Sequence, residues 1–190
     1  LPPGAAIHGI QEVPLKTESL QSVLIGADYM ILIYAEPSEL AADDLVERLA
    51  DFLATESIPR ERQRKGSKYT YNLRPLIFEL TYQGYDAQRE EHRIFLRVQQ
   101  REGATGRPDE VVDALGLDDY ARTLRRDRLY INTEPDDVAA FAAYPVVSKE
   151  EVLISQEPRR RKVRHGRERQ RAKPKDEGRT ISERAGDEFG

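Results

Sequence analysis

The 190-residue sequence contains no cysteine. That excludes disulfides, cysteine-based zinc sites, thiol nucleophiles and cysteine-ligated iron–sulfur clusters. It also agrees with a reducing cytoplasm, the compartment expected for this chain. Histidine is nearly as scarce: His8, His92 and His165 stand alone, without His-x-x-x-His or histidine–carboxylate spacing. No metal or cofactor is therefore expected. No apolar run approaches the roughly 18–20 residues that span a bilayer, so the chain reads as soluble and free of membrane contact. No cationic start is followed by an apolar core, so no secretory signal is read. The chain opens on "LPPG" without an initiator methionine, which suggests a processed piece or a fragment.

Charge is abundant. Asp, Glu, Lys and Arg make up 34% of the chain, against about 25% in ordinary domains. It is unevenly spread. Leu1–Pro158 holds 18 Lys/Arg against 28 Asp/Glu, a net of -10, whereas Arg159–Gly190 holds 12 against 6, a net of +6. An acidic body with a basic arm suggests an anionic partner for the arm.

Hydrophobic periodicity predicts the elements. "AAIHGIQEVPL" alternates like a strand up to Pro14, and "TESLQSVLIG" is a short helix between a Thr17 cap and Gly26. "ADYMILIYA" is nearly continuous and apolar, the signature of a strand buried on both faces. "EPSELAADDLVERLADFLA" is the best helix, with Ser38 as cap and one stripe of Leu40, Leu45, Leu49, Phe52 and Leu53. "SIPRERQRK", a Gly-Ser turn and "KYTYN" make a hairpin. Pro75 forces a tight turn before the strand "IFELTYQG"; "HRIFLRVQQ" returns after a polar loop. "RPDEVVDALGL" is a short helix opened by Pro108 and stopped by Gly116, "DRLYI" a final short strand, and "EPDDVAAFAAYP" a turn or two of helix. These imply an α+β fold: a ferredoxin-like, mainly antiparallel sheet with helices on one face, plus an additional β-hairpin. The expected divisions are a domain over 1–133, a helical or extended connector over 134–157 and a disordered basic tail over 158–190.

The basic hairpin is the main candidate site. Arg60, Arg62 and Arg64 recur at every second residue and so share one strand face, with about 6–7 Å between successive side chains. That step is close to the phosphate spacing of a nucleic-acid strand. Lys65 and Lys68 add charge, while Tyr69 and Tyr71 share a face of the next strand, from which they can stack bases. The competing reading is an edge strand whose charges block aggregation. The tail segment Arg159–Lys175 has 10 Lys/Arg against one Glu, and its leading residues Arg159, Arg160, Arg161 and Lys162 are a second candidate polyanion contact. "GATGRPDE" opens a helix like a phosphate cradle, but Asp109 and Glu110 in the first turn repel phosphate and serve the helix dipole instead. The pairs Asp43/Asp44, Asp118/Asp119 and Asp136/Asp137 point in different directions on a helix and read as caps and solvated faces. No catalytic set is read from the sequence.

Four ordered phrases, "LPPG…EVPLKTESLQSVLIGADYMI", "YNLRPLIFEL", "GRPDEVVDALGL" and "LRRDRLYI", resemble the radical-SAM-linked protein family. That is a bacterial domain of unknown function, encoded beside or fused to a radical-SAM protein. The resemblance covers about Leu1 to Ile131 and implies the C-terminal half of the family domain. The Ser-His-Leu-Asp motif of the family's N-terminal half has no counterpart here. The resemblance also implies a radical-SAM protein as partner, with the cluster chemistry on another polypeptide or region. The expected role is a non-catalytic accessory or recognition domain that contacts RNA. Two rivals stand beside it: an enzyme whose site is completed by the missing half near Arg74 or Asp109, and a pure protein-interaction module.

Overall fold

The near-continuous apolar run becomes the middle strand of the main sheet. The computed structural model describes residues 6–7, 9–10, 12–64 and 67–156, with the backbone alone at Arg64. All lie within the compact unit Leu1–Arg160. A single turn, α1 (Leu20–Val23), leads into β1 (Leu24–Tyr34), and then α2 (Ala42–Ala54) follows. The hairpin is β2 (Pro59–Arg64) and β3 (Ser67–Asn72). A 3-10 turn at Arg74–Leu76 carries Pro75 and precedes β4 (Ile77–Asp86), β5 (Glu91–Arg101) and the two-residue β6 (Ala104–Thr105). α3 (Pro108–Ala114), β7 (Ala121–Ile131), α4 (Pro135–Phe141), α5 (Lys149–Val152) and β8 (Leu153–Gln156) complete the order.

β1 pairs with β5 on one side and β7 on the other, β5 pairs with β4, and every neighbour is antiparallel. The sheet order is β4-β5-β1-β7. Along the chain these strands, with α2 and α3 between them, read β1-α2-β4-β5-α3-β7, the β-α-β-β-α-β order of a ferredoxin-like fold. The hairpin is inserted between α2 and β4, and β8 joins it to make a second sheet of order β2-β3-β8.

One face of β1 sends Ala27, Tyr29, Ile31 and Ile33 into the core, where Ile94, Leu96 and Val98 of β5 meet them. Leu45, Leu49 and Phe52 of α2 and Val111 and Val112 of α3 enter the same core, so both helices cover this face. Tyr71 and Leu73 seat the hairpin sheet on that core as well. Beneath the other face, Phe141 of α4 packs with Ile25 and Tyr130, and Phe78 and Tyr144 close around them.

Several elements differ from expectation. Residues 12–14 and the other described positions of the expected first strand form none, and Ile10, Val13 and Leu15 are exposed. Without a partner strand, alternation alone has nothing to bury. The expected helix over 17–26 shrinks to one turn capped by Ser19, because Leu24–Gly26 pair with β7 instead. α2 begins at Ala42 after a turn containing Ser38, so Ser38 is not its cap. β7 begins at Ala121, six residues before the expected strand. The connector supplies α4, α5 and β8. No helix among the described residues is long and apolar enough to cross a membrane.

Candidate functional site

Arg60 pairs with Tyr71 across the β2–β3 ladder, and Arg62 with Tyr69. The four side chains therefore share one sheet face, as their spacing predicts. That face turns inward. Arg62 grips Glu110 of α3 through two bonds of 2.8 Å, Nε to Oε1 and Nη2 to Oε2, and donates to the Thr105 carbonyl at 3.1 Å. Its guanidinium lies 4.2 Å from the Tyr71 ring centre. Tyr71 is buried and its hydroxyl donates to the same Glu110 carboxylate. Arg60 reaches Asp113, one helical turn further along α3, at 3.2 Å.

The expected row of solvent-facing guanidinium groups is thus corrected at Arg60 and Arg62. The acidic residues of α3 neutralise them, since a charge withdrawn from water needs a carboxylate partner. Tyr71, held in the core, offers no open ring to a base. Lys68 lies on the opposite face and sits 3.8 Å from Glu61, both exposed. Of Arg64 only the backbone is described, and Lys65 falls outside the described residues, as do Arg159, Arg160, Arg161 and Lys162. Arg74 donates to the carbonyls of Leu53 and Ile77, tying α2 to β4, and Asp109 pairs with Arg107. Both are occupied structurally.

The inward face leaves a cleft of about 190 Å³. Arg62, Tyr69 and Tyr71 form one wall. Gly103, in the turn between β5 and β6, and Thr105 of β6 form the second, and Lys149, Val152, Leu153 and Gln156 the third. The third wall has a local cause. Ser148 accepts from the Glu151 amide at 3.3 Å and Glu151 accepts from the Ser148 amide at 2.5 Å, a capping box that starts α5. The bond from the Ser148 amide, aided by the Ser148 hydroxyl, holds the Glu151 carboxyl below its ordinary range. Lys149 is the first residue of that turn, and its stem crosses Gly103, where a Cβ would sit 3.1 Å from Lys149 Cδ. Gly103 has φ 79°, so the turn and the close approach both favour glycine. β8 then pairs Gln156 with Tyr69 and Leu153 with Tyr71.

The cleft combines the open ring of Tyr69 with a lysine that has no carboxylate partner among the described residues. The sequence reading missed Lys149, Val152, Leu153 and Gln156. The Ser148–Glu151 spacing is the one local signal that marks this segment as structured.

Elsewhere His92 is fully buried, with Nδ1 2.8 Å from the Tyr82 hydroxyl and its ring 4.8 Å from that of Tyr85. Burial depresses its pKa, against the opposing pull of the Leu40 backbone. Asp137 accepts from the Ile131 amide and from Arg128, and the amide bond chiefly lowers its pKa. Among the described residues no group of three His, Asp or Glu side chains is placed to hold a metal ion.

A ferredoxin-like α+β domain carrying a second, three-stranded sheet built on an inserted hairpin, with a cationic, aromatic cleft, is the class of protein that these features define. Residues 1–108 match the model of a family described as an uncharacterized protein conserved in bacteria (DUF2344), and the chain belongs to that family. Comparison with curated proteins and with solved structures gives no match.

Proposed function

We propose that this chain is a non-catalytic recognition domain that holds single-stranded RNA for a radical-SAM partner, seating one nucleotide in the cleft. The observation that carries this reading is the convergence of Arg62, Tyr69, Tyr71 and Lys149 on one cleft. Its volume of about 190 Å³ is below the roughly 300–1,000 Å³ of sites that enclose a whole small molecule. That size favours part of a longer ligand, such as one base of a strand. Tyr69, half-buried and lining the cleft, offers a stacking surface. The Lys149 ammonium is placed for a flanking phosphate, and Arg62, locked by Glu110, is a rigid wall. The radical-SAM partner rests on the family resemblance; these 190 residues contain no cysteine to hold a cluster themselves.

Binding of fluorescent oligouridine, measured by anisotropy across a salt series, tests the reading. Lys149→Glu should weaken binding at every salt concentration and lower the salt slope by about 1. Tyr69→Ala should weaken binding with the slope unchanged. Affinities equal to the unaltered protein for both variants would remove the cleft as the RNA site.

A further inference from the structure

β7 forms one edge of the main sheet, paired with β1 on one side and with no strand on the other among the described residues. It is 11 residues long and mostly exposed, where about five or six is usual for a strand. An edge of that length presents a row of unpaired N–H and C=O groups, a template for another strand.

Its side chains say which strand. Arg122, Leu124 and Arg126 stand opposite Ile33, Ile31 and Tyr29 of β1 and therefore share the helix-side face. Arg122 donates to the carbonyls of Asp118 and Tyr120. Neither Arg122 nor Arg126 has a carboxylate partner among the described residues. On the other face Arg125 and Arg128 already hold Asp127 and Asp137. Positive charge without a carboxylate partner thus brackets Leu124, itself partly buried against the core, on one face of an open edge. A second copy would set arginine against arginine, which destabilises a cross-strand pair.

We propose that β7 is a docking edge for an extended acidic segment of a partner protein. The segment adds as a further strand, with carboxylates opposite Arg122 and Arg126 and an apolar side chain opposite Leu124. Main-chain bonds would supply the affinity and the alternate side chains the selection.

A fluorescent peptide alternating threonine with Glu, Val and Glu tests this on the whole chain, with a Lys, Val, Lys counterpart as control. The protein should bind the acidic peptide and not the basic one. Arg122→Glu/Arg126→Glu should weaken the acidic peptide at least about tenfold and acquire affinity for the basic one. N-methylation of the peptide amides should abolish binding. No binding of the acidic peptide, binding indifferent to the charge reversal, or loss of oligouridine rather than peptide in the double variant would each overturn the proposal. Lys149→Glu should leave peptide binding intact, so failure at the edge is distinguishable from failure of the cleft. Circular dichroism of the double variant, altered only at exposed side chains, verifies its fold.

Discussion

Arg97 and Asp28 face each other across β5 and β1 and are joined by two parallel N–H···O bonds of 2.8 Å each. The pair lies between the sheet and α4. Arg97 also donates to Glu79 at 2.9 Å, and the Tyr130 hydroxyl donates to Asp28 at 2.6 Å. The Asp28 bonds, with a weaker contribution from the Tyr144 hydroxyl, raise the guanidinium pKa despite burial, so Arg97 stays charged at any accessible pH. Losing one partner strands the other charge away from water. Arg97→Leu should cost about 2–4 kcal/mol, since both side chains keep some exposure. Arg97→Leu/Asp28→Leu should cost less than the sum of the single changes, because neither charge is left behind. Urea unfolding of the three variants checks the cycle; additive costs would mean that the pair is not coupled.

Gly26 lies directly beneath Phe141. A Cβ there would sit 1.9 Å from Phe141 Cζ, and the ring is enclosed by Phe78, Tyr130 and Tyr144 at centroid distances of 5.8, 4.7 and 5.7 Å. One methyl therefore displaces a ring that has nowhere to go. Gly26→Ala should destabilise by about 1–3 kcal/mol. Adding Phe141→Leu should return part of that loss relative to Phe141→Leu alone. A thermal melt showing no cost for Gly26→Ala would mean that α4 rides loosely on the sheet.

The strands and helices legible in the sequence are those whose own residues carry the pattern. β1 announces itself through Ile31 and Ile33, α2 through Leu45, Leu49 and Phe52, and α3 through Pro108. The first half of β7 does not, because Arg122, Arg125 and Arg126 mask any alternation and its pairing with β1 decides the conformation. The shared face of Arg60, Arg62, Tyr69 and Tyr71 was legible from spacing alone. Its direction was not, since the partner Glu110 comes 48 residues after Arg62 and only the fold brings it there. The helix cap that the sequence read as dipole chemistry thus has a second role. The place of Lys149 in the cleft was not legible for the same reason: it depends on β8 pairing with β3, not on its neighbours in sequence.

His92 gives the domain a pH signature. Its folded pKa lies below the ordinary value of 6.5 because burial penalises the cation. As pH falls through 6.5, the unfolded chain takes up a proton that the folded chain refuses, so stability drops in that window. Above 6.5 both states are neutral and the full contribution is present. Urea midpoints should therefore decline between neutral and mildly acidic pH, and more steeply in the unaltered protein than in His92→Gln. Parallel profiles would show that His92 does not titrate differently on unfolding.

Glu110 separates stability from binding. Its carboxylate receives Arg62 and Tyr71 together and cancels the guanidinium charge behind the cleft. Glu110→Gln keeps the shape while removing the negative charge, which leaves Arg62 half-satisfied and uncompensated. Breaking the pair should lower stability by about 2–4 kcal/mol, below the upper end for a wholly buried pair because both side chains retain some exposure, 18% and 14%. The same change makes the cleft more positive. If an anionic strand binds there, its affinity should rise several-fold at low salt, and the gain should fade as salt screens it. The stability loss and the affinity gain come from one charge, so both should appear in this one variant. Weaker oligouridine binding by a still-folded Glu110→Gln protein would instead mean that Arg62 must be held in place by Glu110 before the cleft can bind.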